Sequence, residues 1–312
     1  MIAVIGEALI DLIVDPEGQI DTSPGGGPFN VARTVGRLGL RPAFVGRFSA
    51  DGFGTMLRRV LNQDNVCIAV PEPVEAPTTL AVVEVDRDGL AKYRFYLDGT
   101  SAADLDRMRL SAALPRDLTA VHVGTLGLVM EPIADSVVSV IEDLPGEVLL
   151  MADPNCRPGA IRDEKRYRDR IARVLHRADV VKVSAEDLEY LVPGVPPHAA
   201  ARTLLEKGPT LVLITEGARP ARALTADEEL EVPVPPMPVV DTIGAGDAFG
   251  GAFLSWWAGH GLAASDLRDP VLLRQATAAA VEVSALTCTQ PGAEPPWESE
   301  LAGRPGWEWL AG

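Results

Sequence analysis

Short, continuous apolar runs recur along this chain, separated by stretches with the period of helices, and that alternation limits its fold more than any other feature. Ile2-Ala3-Val4-Ile5, Pro42-Ala43-Phe44-Val45-Gly46, Ala120-Val121-His122-Val123-Gly124, Glu147 to Asp153, Val180-Val181-Lys182-Val183 and Leu211-Val212-Leu213-Ile214-Thr215 read as strands buried on both faces. Helical patterns cover 28–38, 51–61, 131–143, 163–177, 185–191, 198–207, 246–259 and 271–286. Strand and helix repeating in this way predict an α/β fold with a doubly wound, mostly parallel sheet and helices on both faces. Ligands bind beyond the carboxyl ends of the strands in such sheets. Asp11 and Gly25–Gly27, Asp153-Pro154-Asn155, Ser184 and Gly217 all follow strands.

The alternation changes character between Thr78 and Leu97. Thr79 to Asp86 and Ala91 to Leu97 are rich in β-formers and flank Asp86-Arg87-Asp88-Gly89, a hairpin-type turn. Together with a short strand at Leu12–Asp15 they predict a small β-sheet lid, inserted near 11–15 and 78–98 into a single unit spanning 1–312. Tyr93, Phe95 and Leu97 share one face, where sheet packing and ligand contact are equally good readings. Pro24 and Gly25-Gly26-Gly27 read as a flexible turn before the helix opened by Pro28. Pro291 to Gly312, rich in Pro, Gly and Trp, should pack irregularly, with Trp297, Trp307 and Trp309 capping the core.

A net charge of -16 argues against a nucleic-acid or membrane surface. Cys67, Cys156 and Cys288 form no Cys-x-x-Cys pair and read as reduced thiols; His122, His176, His198 and His260 lack metal-ligand spacing. Met1 to Ile5 has no basic flank and meets Glu7 and Asp11 at once, as a strand does and a signal peptide does not. No run is long enough to span a bilayer, so the expected compartment is the cytoplasm. Neither Gly-x-x-x-x-Gly-Lys-[Ser/Thr] nor a Gly-x-Gly-x-x-Gly after the first strand is present.

Chemistry concentrates in Asp241-Thr242-Ile243-Gly244-Ala245-Gly246-Asp247, where small residues run into an apolar helix. Backbone can be approached closely at Gly244, Ala245 and Gly246, and the first N–H groups of the helix, aided by its dipole, make an anion site suited to phosphate. Asp247 at the mouth of that site makes sense as a base for a hydroxyl that attacks phosphorus. A first-turn acid in an ordinary turn is the plainer reading, and the acids at both ends of Gly-Ala-Gly argue against it.

Asp241–Asp247 resembles the C-terminal signature of the ribokinase-like (PfkB) carbohydrate kinases, and Gly25-Gly26-Gly27-Pro28-Phe29-Asn30-Val31-Ala32 resembles their N-terminal one. The likeness runs from Gly6 to about Ala293. It implies an ATP- and Mg²⁺-dependent enzyme phosphorylating a sugar hydroxyl, with Asp247 as base and Gly244, Ala245 and Gly246 as the anion hole. Asp11, Gly26, Gly27, Asn30, Phe95, Arg157 and Asp247 would hold the sugar, Arg157 coming from an Asp-Pro-Asn-x-Arg segment; a surface salt bridge is its plain alternative. Lys182, Ser184, Thr215, Gly217, Gly244 and Gly246 would meet ATP, although Pro220 replaces the last glycine of the nucleotide loop. Ser184 and Asp187 align with an element that places Mg²⁺ through water; Ser184 is also a good helix cap, and Glu186 stands beside Asp187. Asp241 and Ile243, with the loop around Gly292, lie where some relatives bind a monovalent cation such as K⁺. A homodimer through the lid is also implied. The start Gly6-Glu7-Ala8-Leu9-Ile10-Asp11 and the segment Tyr93 to Thr100 are most similar to fructokinases, with Pro28 and Phe29 expected to narrow the sugar pocket. A 2-keto-3-deoxygluconate kinase, another sugar or nucleoside kinase of the family, and a non-catalytic sugar or nucleotide sensor are the alternatives.

Overall fold

The computed structural model describes residues 1–85 and 91–311; the turn expected at Asp86–Gly89 lies outside the described residues. Strands β1 (Ile2–Ile5), β4 (Ala43–Val45), β5 (Cys67–Ile68), β8 (Ala120–Gly124), β9 (Leu149–Asp153), β10 (Val180–Ser184) and β11 (Leu211–Thr215) pair in parallel, and β12 (Ala221–Leu224) and β13 (Glu229–Val232) extend the sheet antiparallel. The order is β13-β12-β11-β10-β9-β8-β1-β4-β5. This is the mostly parallel, helix-covered sheet expected from the sequence.

Two helical layers cover it, and alternate residues of each strand serve opposite layers. On β9, Leu149 and Met151 join the core shared with α1 (Gly27–Arg37), α2 (Gly52–Gln63), α8 (Ala245–Gly259) and α9 (Pro270–Thr287). Leu150 and Ala152 face the other core, built with α3 (Arg107–Ala113), α4 (Ile133–Glu142), α5 (Glu164–Arg177), α6 (Ala185–Leu191) and α7 (Pro197–Leu205). Burial on both sides explains why these strands read as unbroken apolar runs.

The accessory sheet has the order β3-β2-β6-β7, from β3 (Ile20–Gly25), β2 (Leu9–Val14), β6 (Leu80–Val85) and β7 (Ala91–Tyr96). The chain leaves β1 at Gly6, passes through β2 and β3, and returns to the main sheet on α1. Two expectations change here. Asp11 lies inside a strand that begins at Leu9, and Pro24-Gly25 end β3 where a flexible turn was expected. Strand β3 is an edge, largely exposed, and an edge tolerates the missing N–H of Pro24.

The C-terminal segment forms α10 (Glu298–Leu301) and a final short turn. Trp307 is buried as expected and donates from its indole nitrogen to Glu282. Trp297 is 41% exposed, so it does not cap the core; its ring instead lies beneath the Arg37 guanidinium at 4.9 Å.

A bipartite candidate active site

Two cavities meet at the turn that opens α8. The first, about 520 Å³, lies between the accessory sheet and the carboxyl ends of β1, β8 and β9, and its walls are rich in polar groups. The second, about 570 Å³, is largely apolar, with Thr215 and Gly217 at one side and Val281, Ala285 and Cys288 at the other. Thr242 and Gly246 line both. The turn thus divides a polar chamber from an apolar one.

Gly244 caps α8 in the left-handed conformation, φ 74°, which glycine adopts without steric cost. The side of this turn packs against Ala293, leaving no room for a Cβ. Helix α8 begins at the junction of the cavities: the Ala245 amide donates to the Thr242 carbonyl at 3.3 Å, and the amides of Gly246 and Asp247 have no acceptor among the described residues. Asp247 sits in its first turn, 9% exposed, and Oδ2 accepts a hydrogen bond from Asn30 Nδ2 at 2.9 Å. Burial is the main cause that raises its carboxyl to about 7, with Asp153 adding to the rise and Asn30, Lys182 and Arg157 opposing it. A carboxyl poised there can hold or release a proton near neutral pH. Asn30 Oδ1 is buried at the cavity wall without a partner among the described residues, an acceptor awaiting a donor.

Asp11 reaches the same chamber from β2. Its carboxylate occupies the space that a side chain at Gly25 would need. Burial raises Asp11 to about 6, against the pull of Arg157. Arg157 is exposed at the rim, donates to the carbonyls of Asn155 and Cys156 at 3.3 Å, and makes no ion pair within 4.0 Å among the described residues. Its guanidinium is free to meet an anionic ligand. Phe95 stacks on Tyr93 with centroids 6.3 Å apart, and both line the chamber. The two rings pack on each other in the sheet and face the chamber.

Lys182 comes from β10, buried, with Nζ 3.0 Å from Asp153 Oδ2. Nζ lies 2.7 Å from where a Cβ on Gly246 would stand, so the ammonium abuts the anion turn itself. Gly26, Gly27 and Ile243 also line the first chamber, and Ala245 the second.

Three expected residues line neither cavity. Ser184 and Asp187 form a reciprocal capping box on α6, and Asp187 Oδ1 also accepts from the Cys156 amide at 2.6 Å. Asp187 is 2% exposed, so the cap weighed for Ser184 is what the structure builds. The Asp241 carboxylate accepts from the amides of Ile243 at 3.0 Å and Gly292 at 2.9 Å, tying two loops together. Pro28 and Phe29 do not narrow the sugar pocket. Phe29 is fully buried against Phe44, and Pro28 packs on Gly6. Successive residues on a helix point about 100° apart, so Asn30 faces the chamber while Phe29 faces the core.

The site also holds residues that sequence reasoning missed. Glu7 is fully buried at the chamber floor and accepts from the amides of Gly27 at 3.2 Å and Gly127 at 2.8 Å. Burial pushes it up to about 8, so it is mostly protonated at neutral pH. Glu7 stood in the Gly6-Glu7-Ala8-Leu9-Ile10-Asp11 start, an acid just after a buried strand, and no role was read from it. Thr125 and Asn155 have φ of 50° and 40°, uncommon for residues with side chains, and are joined by an Asn155 Nδ2 to Thr125 Oγ1 bond of 3.3 Å. Asn155 stood in a recognised motif; Thr125 had no sequence signal.

The pattern of the pfkB family carbohydrate kinases matches residues 1–300. A fructokinase of Rhizobium leguminosarum bv. trifolii is 35% identical over 262 residues, 82% of this chain and 79% of its own length. The crystal structure of a fructokinase with bound ATP from Xylella fastidiosa superposes with a TM-score of 0.86 at 28% identity, covering 96% of each chain. That of a double mutant of fructokinase from Vibrio cholerae, in a form with fructose, ADP and potassium ion bound, gives 0.79 at 27% identity over 94% of this chain and 93% of its own. With both signatures assembled around one pair of cavities, this chain belongs to the pfkB family of carbohydrate kinases.

Proposed function

We propose that this chain transfers the γ-phosphoryl group of ATP to a hydroxyl of fructose, with the four-stranded sheet as the lid of a single kinase unit. The observation that carries this reading is Asp247: a buried base, raised to about 7, at the junction of a polar and an apolar chamber and beneath helix amides. The apolar chamber suits a nucleotide base beside Gly217, with its phosphates reaching the amides of Ala245, Gly246 and Asp247. Asp11 and Asn30 offer the sugar acceptors for its hydroxyls, and Asn30 also steadies Asp247. Asp247 removes the proton of the hydroxyl as its oxygen bonds to the γ-phosphorus. The bond from that phosphorus to the bridging oxygen breaks, and ADP leaves with the electron pair. Lys182 and the helix amides stabilise charge on the phosphoryl oxygens, and the lid excludes water.

Among the described residues no three His, Cys, Asp or Glu side chains gather as a metal cage, which fits a Mg²⁺ held chiefly by nucleotide oxygens and water. That ion would neutralise charge on the β- and γ-phosphates. Asp187, or the exposed Glu186 beside it, would reach it only through water. Potassium fits the loops that Asp241 ties together, where carbonyl oxygens of Asp241 and Ile243 are the available donors, and the Vibrio cholerae relative supports this. ATP dependence and cysteines without disulfide partners favour the cytoplasm. Among the described residues no helix is long and apolar enough to cross a membrane.

Arg157 gives a second substrate specific support: a guanidinium fork beside Asp11 would pair the carboxylate of a sugar acid such as 2-keto-3-deoxygluconate. ADP release with ATP, Mg²⁺ and a sugar panel is expected to be fastest with fructose. Arg157→Ala should then lower fructose turnover less than sugar-acid turnover. Inert fructose beside a sugar acid whose turnover vanishes in Arg157→Ala would reverse the assignment, and no ADP release with any sugar would favour a sensor.

The outer face of the lid supports a homodimer. Ile20 and Tyr96, on the two edge strands, are 62% and 56% exposed there, and Val82 on the strand next to Tyr96 is half-buried. Light scattering at micromolar protein should give twice the chain mass; Tyr96→Glu should halve it. A single-chain mass for the unaltered protein overturns the dimer.

A further inference from the structure

Helix α1 carries, beyond Asn30, two buried arginines at the spacing that keeps one helix face, Arg33 and Arg37. Arg33 donates from Nε to Asp64 Oδ2 at 2.6 Å, and from its terminal nitrogens to the Ala293 carbonyl at 2.7 Å and Glu294 at 2.8 Å. Arg37 donates from Nε to the other Asp64 oxygen at 2.8 Å and to the Pro295 carbonyl at 2.8 Å, and its last nitrogen meets Glu294 at 2.6 Å. Against the cost of partial burial, the two guanidinium groups hold the Glu294 carboxyl below its ordinary range. Two planar forks thus grip Ala293, Glu294 and Pro295 in succession.

The gripped segment is Pro291-Gly292-Ala293-Glu294-Pro295-Pro296, whose three prolines have no N–H to donate. It therefore cannot secure itself as a strand or helix would. Yet Ala293 is the residue packed against Gly244, and the Gly292 amide is tied to Asp241. The arginine clamp supplies the fixed geometry that this backbone lacks. One end of α1 therefore holds Asp247 through Asn30, while the next two turns hold the support of the anion turn.

We propose that Arg33 and Arg37 are positioning residues for phosphoryl transfer, acting through Ala293–Pro295 to hold the Gly244 turn in register with Asp247. Neither arginine lines either chamber, and the proposal rests on the phosphotransferase reading of the site. A displacement of about 1 Å at such a centre can cost about 10²-fold in rate, while binding contacts elsewhere survive.

The test compares the unaltered enzyme with Arg33→Ala and Glu294→Ala, in turnover of fructose and in amide hydrogen exchange over 241–247 without ligand. Expected are a kcat lowered about 10²-fold in Arg33→Ala and about tenfold in Glu294→Ala, KM for fructose within about threefold, and faster exchange in 241–247 in both. Added guanidinium ion should restore part of the kcat of Arg33→Ala. Glu294 is half-exposed, so its variant reports even where Arg33→Ala fails to fold. Unchanged kcat and exchange in Glu294→Ala overturn the proposal, as does a loss in Arg33→Ala confined to KM or thermal stability. Should the unaltered enzyme phosphorylate no sugar, the functional reading fails, and the exchange over 241–247 still decides whether the clamp orders the turn.

Discussion

Asp247→Asn is expected to lower kcat by about 10²–10⁴-fold while leaving ATP and sugar binding largely intact. The amide is nearly isosteric with the carboxyl, can still accept from Asn30, and leaves the α8 amides unaltered, so what it lacks is the capacity to take a proton. Retention of more than about a tenth of the activity would mean that another group takes it. The unaltered enzyme should lose kcat/KM as pH falls below about 7, where burial places the Asp247 transition. Glu7 is raised to about 8 chiefly by burial, and the Asp247 charge adds only the smallest part of that rise. Stability should move the opposite way. The folded state binds the Asp247 proton near 7 and the unfolded chain near its ordinary 3.8, so this site's contribution is fully present below 3.8 and is lost as pH rises through 7. The Asn variant does not ionise. Its stability relative to the unaltered enzyme should therefore rise between pH 4 and 8, by no more than about 4 kcal/mol. Denaturant melts at several pH values check this, and a flat difference would place the Asp247 transition elsewhere.

The main sheet was legible because its parallel strands are buried on both faces, which leaves unbroken apolar runs such as Leu211–Ile214. The turn at Asp241–Asp247 was legible for a different reason: its small residues and acids act through the backbone and first helical turn, both set locally. What escaped were edges and long-range pairings. Strand β3 is exposed and carries Pro24, and β12 and β13 have four residues each, too few to establish a period. Thr125 enters the site through a backbone angle that no side-chain pattern announces. Arg33 and Ala293 meet across 260 residues, a separation over which the sequence carries no spacing to read. Phe29 lies away from the chamber because the glycine-rich motif is helical from Gly27 on, and each residue there turns by about 100° from the last.

Lys182→Met should damage both rate and stability. Burial opposes the charge of Lys182, but Asp153, Asp187 and Asp247 outweigh it and hold the ammonium charged. His122, buried beside it with neither ring nitrogen bonded among the described residues, is pushed down to about 3 by burial and by Lys182, and so stays neutral. The nearest compensation for Asp153 is therefore Lys182 itself, and Asp153 Oδ1 already lacks a partner among the described residues. Methionine fills the volume of the lysine stem without its charge. The rate should fall by at least about 10²-fold, the scale for losing one preorganised group at developing negative charge. Stability should fall by about 3–5 kcal/mol, because a buried carboxylate is left uncompensated. These two losses separate in the double variant Lys182→Met with Asp153→Asn. Removing both charges should recover most of the stability, since a neutral pair needs no compensation, yet none of the rate. Denaturant unfolding and initial rates on the three proteins give the answer. Rate returning together with stability would show that Lys182 serves only to neutralise Asp153, and that the helix amides alone meet the transferred phosphoryl group.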